Sequence, residues 1–179
     1  MGCEKCGYLG FIVESSGKAR RCECKEKEIL KMRLGPFYVD NLFPSAALVA
    51  QLSNNIRIES SLTSALPWIA GAVLAAQDKG LTVSRLDSWR LYTRGGADEV
   101  PVPDFMTPDL VVLVLGVGEG NGASFLKWIG NWVLVVLERR MSVNLPIWVV
   151  HNMTLDNVAS RYGQELKTLL GTFKYFQTS

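Results

Sequence analysis

Four cysteines stand as two close pairs, Cys3-x2-Cys6 and Cys22-x-Cys24, and residues 25–179 contain none. Disulfides that staple a secreted fold are spread through it, whereas clustered pairs are the pattern of a metal site in a reducing compartment. Four thiolates suit tetrahedral zinc, and two pairs on separate turns can converge on one ion. Gly7, directly after the first pair, lets the backbone fold back toward the metal. Tyr8, Phe11 and Val13 are candidates for a small apolar platform beneath it. A unit this small has no core able to fold it. Zinc held by Cys3, Cys6, Cys22 and Cys24 would therefore supply its folding energy.

Lys18, Arg20 and Arg21 lie between the pairs. They read either as a phosphate-contacting surface for single-stranded DNA or as a solvated face, diluted by Glu23, Glu26 and Glu28. A net charge of +2 gives no whole-chain attraction to nucleic acid, so any such contact is local. Residues 1–28 hold no apolar segment of a secretory signal, and no apolar run is long enough to span a bilayer. The expectation is a cytoplasmic protein with no membrane partner.

The pattern divides the chain into a zinc module with a charged amphipathic helix (1–34), a linker with Gly35-Pro36 and Pro44 as turn signals (35–45), and an α/β domain (46–179). In that domain Ile56–Ile58 reads as a strand, and Leu66–Lys79 as a helix ended by Gly80. Leu81–Leu86 reads as a second strand, Ser88–Tyr92 as a helical turn and Thr93–Pro108 as a loop. Leu110–Leu115 and Ile147–Val150 are apolar runs typical of strands buried on both faces. Apolar residues at helical spacing mark Ser124–Arg140, and Thr154–Leu170 reads as one last helix. Strands alternating with helices predict a parallel sheet flanked by helices.

The N-terminal order is a Cys-x2-Cys pair, a glycine-aromatic ribbon, Arg-Arg-Cys-x-Cys, then a basic helix. It is carried by CEKCGYLGFI and ARRCECKEKEILKMRL, and it resembles the N-terminus of DnaC-like replication proteins. These are the DnaI-type bacterial and phage helicase loaders, related to the IstB transposition ATPases. Ala75–Val83 resembles the first helix and second strand of their AAA+ domain. Asp109–Gly116 resembles the Walker B strand, and Leu145–Asn152 the sensor-1 strand, with Asn152 on the sensor asparagine. Arg161–Leu170 resembles the arginine-finger helix. The resemblance implies an AAA+-like P-loop NTPase core behind a zinc module. It also implies a protein partner, a replicative helicase or an AAA+ relative.

The chemistry departs from that pattern. Counting back from Gly80 puts the phosphate loop on residues 59–66, with Ala65 in the lysine position and Leu66 in the hydroxyl position. A working loop needs glycines, a lysine and then Ser or Thr for phosphate and Mg²⁺. The Walker B acids fall near Val114 and Leu115, and the arginine finger near Leu169. Each such group typically contributes ~10²–10³ in rate. The expectation is a degenerate core, a pseudo-ATPase that acts as a binding or adaptor protein in DNA replication, recombination or mobile-element biology.

Two other readings remain open. In the Gly116–Gly122 run, Gly118-x-Gly120-x-x-Ala123 fits a dinucleotide fingerprint with Glu138 beyond it, provided that Trp132–Leu137 is a strand. The zinc ribbon alone could serve a transcription regulator. His151 is the one histidine, at the strand end where α/β proteins bind ligands. Asp104, Asp109 and Glu119 are too scattered to read as an acid pair.

Overall fold

The computed structural model describes residues 3–7, 9–89, 103–116, 119 and 122–177. The first unit is a two-stranded ribbon of β1 (Phe11–Val13) and β2 (Ala19–Arg21), antiparallel, with Phe11 opposite Arg21 and Val13 opposite Ala19. Helix α1 (Glu23–Leu34) follows at once, with Cys22 as its N-cap. Its first turn carries Glu23 and Glu26 and its last turn Lys31 and Arg33, which suits the helix dipole. Leu34 is its one fully buried residue, so the helix is anchored at one end rather than along an apolar stripe. Arg33 pairs with Asp78 at 2.6 Å, and Gln77 donates to the Arg33 carbonyl at 2.8 Å. A 3-10 turn, Gly35–Phe37, then buries Phe37 beside Leu34.

The main sheet has five strands in the order β4-β5-β6-β3-β7. They are β3 (Ile56–Glu59), β4 (Val83–Asp87), β5 (Leu110–Val114), β6 (Ile147–His151) and β7 (Lys174–Phe176), and every pairing is parallel. Residues in β5 and β6 are all buried, as expected for central parallel strands covered on both faces. Their side chains alternate between two cores. Val111, Leu113, Ile147 and Val149 face α5 (Ala123–Ser142), α6 (Leu155–Tyr162) and α7 (Gln164–Gly171). Leu110, Val112, Trp148 and Val150 face the side holding the end of α1, α2 (Ala46–Val49) and α3 (Leu62–Asp78). The expected parallel sheet flanked by helices is present.

Several boundaries differ from the sequence reading. Helix α3 starts at Leu62, not Leu66, because Ser61 caps it by accepting from Ser64 N at 3.1 Å. Pro67 lies inside the helix and forfeits one i→i−4 bond without ending it. The last expected helix is two, split at Gly163 with φ 122° and ψ 156°, a conformation open to glycine. The expected loop at 93–108 contains one helical turn, α4 (Pro103–Met106). Residues 90–102 of that region, including most of the expected Ser88–Tyr92 turn, lie outside the described residues. Strand β7 has no counterpart in the sequence reading.

Helices α5 and α6 cross at Gly130. A Cβ there would stand 2.1 Å from the Tyr162 carbonyl oxygen and 2.9 Å from its carbonyl carbon. Backbone cannot yield as a flexible side chain does, and overpacking of this kind costs about 1–3 kcal/mol. Gly130→Ala is expected to lower the midpoint of chemical unfolding with little change in its slope. A variant as stable as the parent would mean that α6 is free to slide.

Candidate metal centre and the C-terminal edge of the sheet

The four cysteines come together. Cys3 Sγ lies 3.6 Å from Cys22 Sγ, and Cys6 Sγ lies 3.5 Å from Cys24 Sγ. All four sulfurs fall within 4.8 Å of one another. A tetrahedron of thiolates around zinc, with Zn–S near 2.3 Å, needs S···S separations of about 3.8 Å. The spacing is far beyond a disulfide bond and fits one shared ion.

Each pair has its own device. After Cys3 the chain turns back, and the Cys3 carbonyl accepts from Cys6 N at 3.3 Å and Gly7 N at 3.0 Å. Gly7 holds φ 52° there, the left-handed conformation that the turn requires. The second pair uses a helix start: the Cys22 carbonyl accepts from Lys25 N at 2.9 Å and Glu26 N at 3.2 Å. Cys24 then sits in the first turn of α1, which explains a spacing of one residue rather than two. Cys22 N donates to the Gly10 carbonyl at 2.8 Å, closing ribbon and helix around the sulfurs.

Thiols packed this closely cannot all ionise without a cation. The backbone N–H of Lys5, helped by Cys22, lowers Cys3 to about 7. Cys24 is pushed up to about 12, first by its contacts with Cys22 and Cys6 and then by burial. A divalent ion at the centre removes that conflict, because each thiolate then faces positive charge.

The remaining predicted residues are arranged differently from one another. Phe11 and Val13 are exposed, at 53% and 71%, so they form no platform under the metal; Tyr8 lies outside the described residues. Arg20 pairs with Glu14 at 3.2 Å. By register Arg20 stands opposite Ile12 and Arg21 opposite Phe11, so the two arginines project from opposite faces of the ribbon. Lys18 lies at the ribbon turn, exposed.

At the C-terminal edge of the sheet, Ser60, Leu62, Gly116, His151 and Asn152 line a cleft of about 40 Å³. Asn152, the residue matched to the sensor asparagine, is among the residues of this lining. Ala65 and Leu66 do not line this cleft. Ala65 is fully buried in the second turn of α3, and Leu66 packs against the same core. Residues 59–66, the segment matched to the phosphate loop, span the end of β3, the junction and the first residues of α3. Only Ser60 and Ser61 separate β3 from α3, and Ser60 N donates to the His151 carbonyl at 2.7 Å. Burial lowers the pKa of His151. Its Nδ1 contacts the Met153 carbonyl at 2.7 Å, and its Nε2 is buried with no partner among the described residues.

The sequence reading missed the role of Glu119. Its side chain is fully buried. It accepts from Gly116 N at 3.0 Å, and also from Ser88 Oγ and Tyr162 Oη. Arg161 adds an ion pair at 3.4 Å. Burial first, and the bond to Glu119 second, raise the pKa of the Tyr162 phenol far above its ordinary value. This acid ties the turn after β5 to α6 and to the end of β4. The dinucleotide reading required a strand at Trp132–Leu137, but those residues lie within α5, so that fingerprint lacks its second strand.

Neither a family model nor a curated protein matches the sequence. Solved structures do match its fold. The DnaC helicase loader superposes with a TM-score of 0.55 at 14% identity, over 80% of this chain and 99% of that one. DnaI gives 0.55 at 12% identity, over 86% and 90%. The replication initiator DnaA bound to AMPPCP and single-stranded DNA gives 0.53 at 15% identity, over 85% and 44%, so this chain spans less than half of it. The α/β domain thus has the fold of the DnaC helicase loader and of DnaI.

Proposed function

We propose that this chain is a non-catalytic relative of the DnaC-type loaders, an adaptor in DNA replication, recombination or mobile-element biology. Its N-terminal module carries one zinc on Cys3, Cys6, Cys22 and Cys24. Its α/β domain holds a protein partner, a replicative helicase or an AAA+ relative. One observation carries the reading: the two-residue junction between β3 and α3. A phosphate loop wraps the anion with backbone N–H groups over an eight-residue glycine-rich segment. Two serines leave no length of chain to wrap, and the helix beyond them offers Leu62 to the cleft where charge is needed. Glu119, the acid after the β5 strand, is already committed to Tyr162, Ser88 and Arg161. No helix among the described residues is long and apolar enough to cross a membrane.

The partner reading is tested by mixing the zinc-loaded chain with its host's replicative helicase and measuring complex formation by sedimentation. A complex of the same strength with ATP, with ADP and without nucleotide is expected, because nucleotide is not the switch. A complex that forms only with ATP, or none at all, would overturn it.

Of Lys18, Arg20 and Arg21, Lys18 and Arg21 belong to the proposal as phosphate contacts for single-stranded DNA. Removing one side chain that neutralises a phosphate reduces the salt slope by about 1. Arg20 is neutralised by Glu14, so Lys18→Ala and Arg21→Ala are expected to flatten the slope and Arg20→Ala to leave it. Equal slopes in all three variants would assign the cluster to a solvated surface.

A further inference from the structure

The two faces of the ribbon are not alike. Gly10 and Ile12 lie on the side toward α1: a Cβ at Gly10 would stand 3.4 Å from Lys25 Cγ, and Ile12 is half-buried. Arg20, opposite Ile12, shares that side, as do Glu14 and Lys18 by alternation. The other face carries Phe11, Val13, Ala19 and Arg21. All four are exposed, Phe11 at 53% and Val13 at 71%. These four residues include no carboxylate, because Glu14 lies on the far side, where it pairs with Arg20 at 3.2 Å. Arg21 has no ion-pair partner among the described residues, whereas Lys5, Arg20 and Lys25 are each paired.

Register makes Phe11 and Arg21 a unit. Backbone bonds of 2.8 and 2.9 Å join Cys22 to Gly10 and Glu14 to Lys18. Hydrogen-bonded and non-hydrogen-bonded pairs alternate along an antiparallel ribbon. Phe11 and Arg21 therefore face each other at a non-hydrogen-bonded position, where side chains stand closest. A single exposed hydrophobe is ordinary and by itself points to nothing. A bare ring beside an unpaired guanidinium, on a face without acids, is different. Those are the two groups that grip single-stranded nucleic acid, a flat surface for a base and a cation for the phosphate beside it. The size of the face also decides the occupant. Two strands of three residues each cannot supply the area of about 1,000 Å² that a stable protein interface buries, but they match one nucleotide.

We propose that Phe11 is a base-stacking residue: its ring takes one unpaired base of single-stranded DNA while Arg21, across the ribbon, holds the neighbouring phosphate. The proposal rests on the single-stranded DNA reading above and goes past it, since that reading needs cations alone. Val13 extends the face beside the ring and offers the sugar an apolar contact. Every base has a π-face, so the grip is indifferent to sequence. In a duplex the bases are already stacked on one another, so the ring contributes only to the binding of single strands. Cys22, the residue after Arg21, belongs to the cysteine cluster. The centre that holds the cluster therefore also holds the register that sets ring and guanidinium side by side.

The test is fluorescence anisotropy of the zinc-loaded chain with three labelled probes: a single strand, an abasic strand of the same length, and the duplex. Phe11→Leu keeps an apolar side chain and removes the ring, and Phe11→Trp keeps a ring. Each variant is checked first for one bound zinc and an unchanged unfolding midpoint. Phe11→Leu is expected to weaken binding of the single strand about tenfold. It should leave the salt slope unchanged, and leave binding of the abasic strand and the duplex as in the parent. Phe11→Trp should hold the parental affinity. Arg21→Ala, by contrast, should lower the salt slope by about 1 on the single strand and on the abasic strand alike. Parental affinity in Phe11→Leu, or an equal loss on the abasic strand, would overturn the stacking and leave the phosphate contacts in place. A parent chain that binds no single strand at all would overturn both readings.

Discussion

Adding a strong chelator, or changing Cys22 to Ser, is expected to unfold the N-terminal module while the α/β domain stays folded. The ribbon contributes almost no buried apolar surface. Phe11, Val13 and Leu9 face solvent, and among the described residues before α1 the buried ones are Cys6, Gly10 and Cys22. Two strands of three residues each are marginal alone in water. Apparent zinc-binding energies in small modules of this kind are about 10–16 kcal/mol near neutral pH, which exceeds anything else available to these residues. Thiolates must stay deprotonated to hold the ion, so the metal is expected to leave as pH falls, and the module to unfold with it. Amide exchange is the readout. The bonds from Glu14 N to the Lys18 carbonyl and from Cys22 N to the Gly10 carbonyl should lose protection, while β5 and β6 keep theirs. Full protection without metal, with four titratable thiols, would remove zinc from the account.

Arg140→Met is expected to destabilise the α/β domain by about 3 kcal/mol, a fall of roughly 10 °C in Tm for a chain of this size. Arg140 is fully buried at the end of α5. Its guanidinium donates to the carbonyls of Phe105, Pro108, Asp109 and Pro146. It thereby fastens α5 to the segments that feed β5 and β6. Burial lowers its pKa to about 10, with Asp109 pulling the other way, so it stays charged at neutral pH. Desolvation makes the ion itself a poor net stabiliser, but removing it strands several buried carbonyls without donors. That loss, not the value of the ion, sets the cost. Lysine should rescue only part of it, because one ammonium cannot reach the same fan of acceptors. Thermal unfolding of the two variants is the check, and an unchanged midpoint in Arg140→Met would refute this role.

The parts that were legible in the sequence are those set by local chemistry. Paired cysteines announce a metal site at any fold, and the apolar runs in β5 and β6 announce central parallel strands. The Cys22-x-Cys24 spacing was readable as unusual but not as a helix N-terminus, because no side-chain cap accompanies it. The sequence reading began the helix at Leu66, and the true start at Leu62 is marked only by Ser61 and its contact with Ser64. That displacement hid the short β3–α3 junction. Glu119 could not be read at all. Its partners Ser88 and Tyr162 lie 31 and 43 residues away, and nothing local signals that its carboxylate is buried. Strand β7 is three residues long with two exposed, too short for a period of two to register. The exposed stripe on β1 has the same alternation as a core strand; only the structure shows that nothing covers it.

Isothermal calorimetry with ATP-Mg²⁺ up to about 1 mM, the range in which even binding near −4 kcal/mol is measurable, bears most directly on the central claim. The account expects no saturable heat and no rise in Tm, because a β3–α3 junction of two serines offers no cradle for phosphate. Saturable binding that is lost in Asn152→Ala would place the nucleotide at the sheet edge, and would contradict the account.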